Sequence, residues 1–177
     1  MADSNITKKA LANALKNLMN EKPFEKISVS DICEQCNMNR KSFYYHFQDK
    51  YDLVNWIFDT EFIAHAQKMN YSDRWDFLND ISSFFYENRF FYRKALLIKG
   101  QNSFSDHFRE FLIPIVESRL GGILGTPDIS EFQLNFFTDA YIMTLQRWIL
   151  EYNNMSPEEF LEQIKICFRC LAVSYDK

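Results

Sequence analysis

Residues 24–53 read FEKISVSDICEQCNMNRKSFYYHFQDKYDL, and the spacing of polar and apolar side chains in this stretch decides the fold. Ser28-Val29-Ser30-Asp31 announces a helix: the Ser28 hydroxyl can cap free amides, and the acid three residues on completes a capping box. This helix is short, over 29–36. Asn37 stands where a left-handed residue ends a helix, a geometry Asn tolerates better than most. Asn39 is placed to cap a third helix over 40–47. Two short helices joined by a tight turn make a helix-turn-helix.

On a helical wheel Phe43 and Phe47 fall together, four residues apart, and face the core with Ile32 and Met38. Lys41, Ser42 and Tyr45 then lie on the opposite side, Tyr44 and His46 flank the apolar face, and Arg40 opens the helix. A helix anchored by two Phe that turns cations, phenols and an imidazole outward is built to touch a surface. The major groove of DNA admits one helix. Arg and Lys can donate there to guanine acceptors, while hydroxyl and imidazole groups on the flanks reach phosphates.

Around this segment the pattern is helical throughout. The chain has 177 residues, 47% hydrophobic and 17% aromatic, with only four Gly and four Pro, which is enough apolar surface for a sizeable core and few breakers. A first helix over 6–20 carries Ile6, Ala10, Leu11, Ala14, Leu15 and Leu18 as one stripe, and Pro23 ends it. A longer helix starts near Lys50. Further helices are expected from Ser72 or Asp73 through Phe85, over 90–98, over 103–120 with Pro114 kinking or interrupting it, over 130–151 and from Ser156 onward. Gly121-Gly122 through Gly125-Thr126-Pro127 reads as the clearest loop. The expectation is an all-α protein of about nine helices, with a helix-turn-helix head at 1–49 and a helical body at 50–177.

The net charge of −4 excludes a protein that is basic everywhere. Residues 1–50 hold eight Lys/Arg against six Asp/Glu, and the remainder twelve against eighteen, so a mildly basic head sits on an acidic body. The N-terminus has no signal-peptide pattern and no run is long enough to span a membrane, which points to a cytoplasmic protein with reduced thiols and no membrane partner. Its Cys form two C-x-x-C pairs, Cys33/Cys36 and Cys167/Cys170, a spacing that invites a tetrathiolate zinc site. Both pairs fall inside amphipathic helices, where Cys behaves as a small hydrophobe, so core filling is the preferred reading and no metal or other cofactor is expected. No nucleophile–base–orienter set, Gly-rich phosphate loop or H-E-x-x-H occurs, which argues against an enzyme.

The segment resembles the DNA-binding domain of the TetR/AcrR family of transcriptional regulators. Ile27, Val29, Ile32, Cys33, Cys36, Met38, Ser42, Phe43, Tyr44, His46, Phe47, Lys50 and Leu53 fill that family's pattern in register, across about fifty N-terminal residues. One departure is Asn37, where the family usually has Gly. The resemblance implies that Arg40, Lys41 and Tyr45 read the groove. It implies that Ser30, Ser42, Tyr44, His46 and Lys50 anchor on phosphate or backbone, with Thr7 and Lys8 adding a phosphate contact. It also implies a homodimer pairing its last two helices, and hence a pseudo-palindromic operator on double-stranded DNA. Leu134, Phe137, Tyr141, Leu145 and Trp148 form one apolar face of that pair and Phe160, Ile164, Cys167, Phe168 and Leu171 the other; either face can pair copies or fill the monomer core.

The resemblance implies that 50–177 is a regulatory and dimerisation domain, in which a small molecule entering the body changes the separation of the two heads and so shifts DNA affinity. Trp75, Phe84, Phe91, Phe104 and Phe108, with Phe85, Phe90, Tyr92 and Phe111, are candidates to line an apolar effector pocket, or simply to be core. Asn88-Arg89-Phe90-Phe91-Tyr92-Arg93-Lys94-Ala95-Leu96 is similar to a motif of the family branch that includes the activator of dihydroxyacetone kinase operons. That similarity implies a docked protein as effector, activation as output and an exposed apolar patch in place of a closed cavity. The alternative function is a DNA-bound structural or cell-division factor that does not control transcription. Operator, effector and sign of regulation are not encoded in any motif of the chain.

Overall fold

The computed structural model describes residues 2–73, 75–100, 102–125, 128–151 and 154–173. Among these the regular structure is entirely helical. The helices are α1 (Ala2–Glu21), α2 (Val29–Gln35), α3 (Arg40–His46), α4 (Lys50–Phe58, continuing through a π segment Asp59–Ile63 into Ala64–Ala66), α5 (Asp76–Glu87), α6 (Arg89–Ala95), α7 (Phe104–Leu124), α8 (Glu131–Glu151) and α9 (Pro157–Val173). Packing divides them into two units: residues 1–67 with 90–107, and residues 68–89 with 108–177.

In the first unit α1 buries Leu11, Leu15, Leu18 and Met19 against α2, α3 and α4. These meet Ile32, Phe43, Phe47, Leu53 and Ile57, all buried, so the stripe spacing of α1 and the two Phe of α3 converge on one core. A second cluster joins Phe58 to Tyr92 and Phe104, with ring centroids 6.3 and 5.4 Å away. Two α4 carboxylates at the π segment reach outward. Asp59 Oδ1 lies 2.6 Å from His107 Nε2, and Glu61 holds Lys16.

In the second unit α5 packs on α8 and α9. Trp148 stacks between Tyr86 (5.7 Å) and Phe160 (4.3 Å), and its indole N–H donates to the Met155 carbonyl at 3.0 Å. Ser156 and Glu159 cap α9 reciprocally, and Ser130 with Gln133 does the same for α8.

Several boundaries differ from the pattern-based expectation. Helix α5 begins at Asp76, because Asp76 Oδ2 accepts the Asp73 N–H and caps the helix there. Helix α7 runs on through Pro114, which is exposed, so the carbonyl that Pro cannot serve is free to face water. Gly121-Gly122 is helical too. The buried Leu120 and half-buried Ile123 on either side outweigh a cost of roughly 1 kcal/mol per Gly. Of the Gly in this stretch, Gly125, at φ +72°, is the one in a left-handed turn; Thr126 and Pro127 lie outside the described residues, as does the side chain of Leu171. Core filling holds for Cys33, which is buried, but not for Cys167 and Cys170, which are exposed: the buried stripe of α9 follows Leu161, Ile164 and Phe168, and both Cys turn off it.

Candidate nucleic-acid interface

The helix-turn-helix is built by local bonds. Ser28 Oγ accepts the Asp31 N–H at 3.1 Å while Asp31 Oδ2 accepts the Ser28 N–H at 2.7 Å, closing the capping box of α2. This bond and Lys22, 2.9 Å away, hold the Asp31 carboxyl well below its usual range, at about 2. Helix α2 ends at Asn37, whose φ of +55° is the left-handed turn; the Met38 N–H returns to the Cys33 carbonyl at 2.8 Å. Asn39 Oδ1 then accepts the Ser42 N–H at 2.8 Å and starts α3.

Phe43 and Phe47 fix the rotation of α3. Both are buried, their centroids 5.8 Å apart, and Trp56 meets Phe47 edge-on at 5.7 Å. Arg40, Lys41, Tyr44 and Tyr45 are consequently exposed, Tyr45 to 82%. Arg40 Nη2 donates to the Tyr44 hydroxyl at 3.3 Å, so these two side chains present a joined cation and phenol. Half-buried His46 packs edge-on to Tyr45 at 4.9 Å, which limits the rotamers of both. Ser42 is half-buried, with its hydroxyl on Asn39 Oδ1 at 3.3 Å, and half-buried Ser30 lies in the first turn of α2.

Two cations outside α3 are placed differently. Lys8 lies over the Phe47 and Trp56 rings at 5.5 and 5.7 Å. Lys50 turns back toward the link between α1 and α2, donating to the carbonyls of Phe24 at 2.7 Å and Ile27 at 2.8 Å. Burial there pushes its ammonium pKa down. Cys36 donates to the Ile32 carbonyl at 3.2 Å, and desolvation raises both the Cys33 and the Cys36 thiols, which keeps them protonated.

The five aromatic effector candidates fall in both units. Phe91 and Phe104 are buried in the first unit, where Phe104 packs on Tyr92 at 5.3 Å. Trp75, Phe84 and Phe108 belong to the second, where Trp75 meets Phe168 at 5.6 Å and Phe108 meets Phe85 at 5.0 Å. A narrow apolar cleft in the second unit, with room for little more than a water or two, is lined by other residues, among them Phe77, Leu112, Arg119, Phe137, Tyr141 and Phe168. Pattern reading missed these because the cleft joins residues of α5, α7, α8 and α9, far apart in sequence. Among the described residues no group of three or more His, Cys, Asp or Glu side chains is placed to hold a metal ion, and no helix is long and apolar enough to cross a membrane.

A capped two-helix turn with an exposed cationic and phenolic helix, carried ahead of a helical body, defines the helix-turn-helix class of transcriptional regulators. Residues 11–57 match the family described as "Bacterial regulatory proteins, tetR family", and residues 73–169 match "Transcriptional regulator C-terminal region". The chain belongs to the TetR family, a non-enzymatic family of transcriptional regulators. It is 36% identical over 102 residues to the HTH-type dhaKLM operon transcriptional activator DhaS of Lactococcus lactis subsp. lactis (strain IL1403), covering 55% of this chain. The match spans about half of that curated relative, 53% of its length. Among solved structures, a dihydroxyacetone kinase operon activator DhaS superposes with a TM-score of 0.55 at 25% identity over 96% of each chain. A TetR transcriptional regulator from Streptococcus agalactiae 2603V superposes with a TM-score of 0.72 over 94% of this chain and 96% of that one; at 24% identity the likeness concerns the fold.

Proposed function

We propose that this chain is a sequence-specific DNA-binding regulator that acts as a homodimer, lays α3 in the major groove and changes its DNA affinity when an effector engages its helical body. The observation that carries the reading is the orientation of α3: buried Phe43 and Phe47 turn Arg40, Lys41, Tyr44 and Tyr45 to solvent. Arg40 and Lys41 are suited to base acceptors, Tyr45 to the groove floor or wall, and Tyr44, His46, Ser42 and Ser30 to the flanking backbone.

Pairing of copies is supported by the outer face of α8 and α9. Phe132, Phe136 and Met143 of α8 are 78%, 55% and 58% exposed, and Cys167 of α9 lines one surface groove with Met143. By contrast Tyr141, Leu145, Trp148, Phe160 and Ile164 are consumed within the chain's own core. An isologous pair puts two α3 helices about one duplex turn apart, ~34 Å, which calls for a pseudo-palindrome.

For the effector, the apolar lining of the second unit's cleft matches a hydrophobic small molecule in chemistry, but the cleft must widen to admit one. Similarity to a protein named as an activator makes activation the output to examine first. The experiment is selection of duplexes from a random pool by the purified chain, followed by a reporter at the recovered site. Enrichment of a two-fold-related motif, lost in Tyr45→Ala, supports the reading; a pool that stays unenriched overturns it.

A further inference from the structure

We infer that Lys50 is a positioning residue for α3: its ammonium group latches the first turn of α4 onto the carbonyls of the 24–27 turn and does not itself contact DNA. The inference rests on the DNA-binding reading above, and it departs from a phosphate-anchoring role for this Lys.

An ammonium group has three N–H donors and no acceptor. In Lys50 they are directed at three carbonyls, those of Phe24 (2.7 Å), Ile27 (2.8 Å) and, more distantly, Glu25 (3.5 Å). The same nitrogen lies 4.3 Å from the centroid of the Phe24 ring, which Tyr51 meets edge-on at 5.1 Å. A group so engaged would have to break two short, charge-assisted bonds to reach a phosphate. Arg40 and Lys41 are exposed and carry no such cost.

The position of the latch gives it a function. Ile27 immediately precedes Ser28, the cap of α2, and Lys50 follows the end of α3 by only a few residues. One side chain therefore ties together the entry and the exit of the helix-turn-helix. The segment between them keeps its internal caps whether or not its ends are joined. What joining the ends adds is a fixed attitude of α3 relative to α1 and α4, which is what a helix entering a groove needs. Helix α4 leads directly into the π segment, so a displacement of α4 acts on the 24–27 turn through this side chain.

The test uses the full chain and Lys50→Met, Lys50→Arg and Lys41→Ala variants, with a mixed-sequence duplex as probe. Hydrogen exchange in the free protein reads the latch without DNA. In Lys50→Met the Lys26 and Ile27 amides, which donate to Pro23 and Phe24, exchange about tenfold faster. Duplex affinity by fluorescence anisotropy falls several-fold in Lys50→Met, with the slope of log affinity on log salt unchanged. Lys41→Ala, which takes one exposed cation off the DNA-facing side, sets the scale of a lost charge and flattens that slope by up to about 0.9. Lys50→Arg fails to restore affinity, because a planar guanidinium cannot point its N–H groups at three crowded carbonyls. Unchanged exchange together with a flattened slope in Lys50→Met, or full recovery by Arg, makes Lys50 a phosphate contact and overturns the inference. Should Lys50→Met not fold, exchange in Lys50→Arg decides the matter: wild-type rates there defeat the latch. If the wild-type chain shows no salt-sensitive duplex binding, the DNA reading fails while the exchange result still judges the latch.

Discussion

Lys16 Nζ lies 2.6 Å from one Glu61 oxygen and 2.7 Å from the other, joining the middle of α1 to the π segment of α4. The same amine sits 5.3 Å from the Phe91 ring. Both partners of the ion pair are partly exposed, so water screens it and the coupling is modest. A double-mutant cycle with Lys16→Met and Glu61→Gln, followed by urea unfolding, is expected to give a coupling of about 0.2–1 kcal/mol that shrinks as salt is raised. A coupling that survives molar salt would show that the pair is far drier than its exposure indicates.

Two neighbours on α3 separate stability from recognition. Phe43→Ala opens a hole in a fully buried site and is expected to cost about 3–5 kcal/mol. Tyr45→Ala removes a ring that is 82% exposed, so unfolding free energy should move by about 0.5 kcal/mol or less. Duplex binding by the same variant should fall sharply. Thermal melts and anisotropy on one preparation check both halves, and a Tyr45 variant that binds as wild type would remove this side chain from the interface.

The head was legible because its signals are local. Ser28, Asp31, Asn37 and Asn39 act on amides within a few residues, and Phe43 and Phe47 are one turn apart, so spacing alone reports what they do. Lys50 was not legible in this way: its acceptors lie more than twenty residues back, and nothing in spacing tells a latch from a phosphate anchor. Gly121-Gly122 misled for the same reason. Gly is a weak local breaker, and the packing of Leu120 and Ile123 that overrules it is tertiary. In α8 every face carries apolar residues, so periodicity could not say that Tyr141 and Trp148 turn inward while Phe132 and Phe136 turn out. For the aromatic effector candidates the sequence offers less, because aromatic content reports core volume, not which rings share a wall.

That outward face yields a prediction for assembly. Phe136→Glu places a charge on an exposed position of α8, so the monomer fold should be nearly unaffected, with a stability change of about 0.5 kcal/mol or less. In an isologous interface the substitution appears twice, bringing two carboxylates together where apolar surface was buried. Light scattering at micromolar concentration should show the wild type as a dimer and the variant as a monomer. Two dimers would shift the interface elsewhere.

Asn37 holds φ at +55° without the freedom of Gly. Replacing it by Gly removes the Cβ that disfavours this region, and Asn37→Gly should stabilise the chain by about 0.5–1 kcal/mol. Asn37→Ala keeps the Cβ and loses the polar side chain that eases the left-handed turn, so it should destabilise by about 1 kcal/mol. Equal midpoints for the two variants in urea would mean that backbone strain at this turn is not a factor in the stability of the head.

The capping box of α2 makes a prediction about pH. The Ser28 N–H first, and then the Lys22 ammonium, lower the Asp31 carboxyl from an ordinary 3.8 to about 2. A carboxyl that is more acidic folded than unfolded stabilises the fold when ionised. Its contribution is fully present above the unfolded value, near 4, and declines as pH falls toward the folded value, near 2. Asp31→Asn has no such proton to bind. The melting temperatures of wild type and Asp31→Asn should therefore differ by a constant amount from neutral pH down to about 4, then approach each other as pH falls further. Other carboxyls titrate in the same window, but they do so in both proteins and cancel in the difference. A gap between the two proteins that stayed constant down to pH 2 would mean that the carboxylate charge of Asp31 adds nothing to the cap, leaving only the geometry of its oxygen.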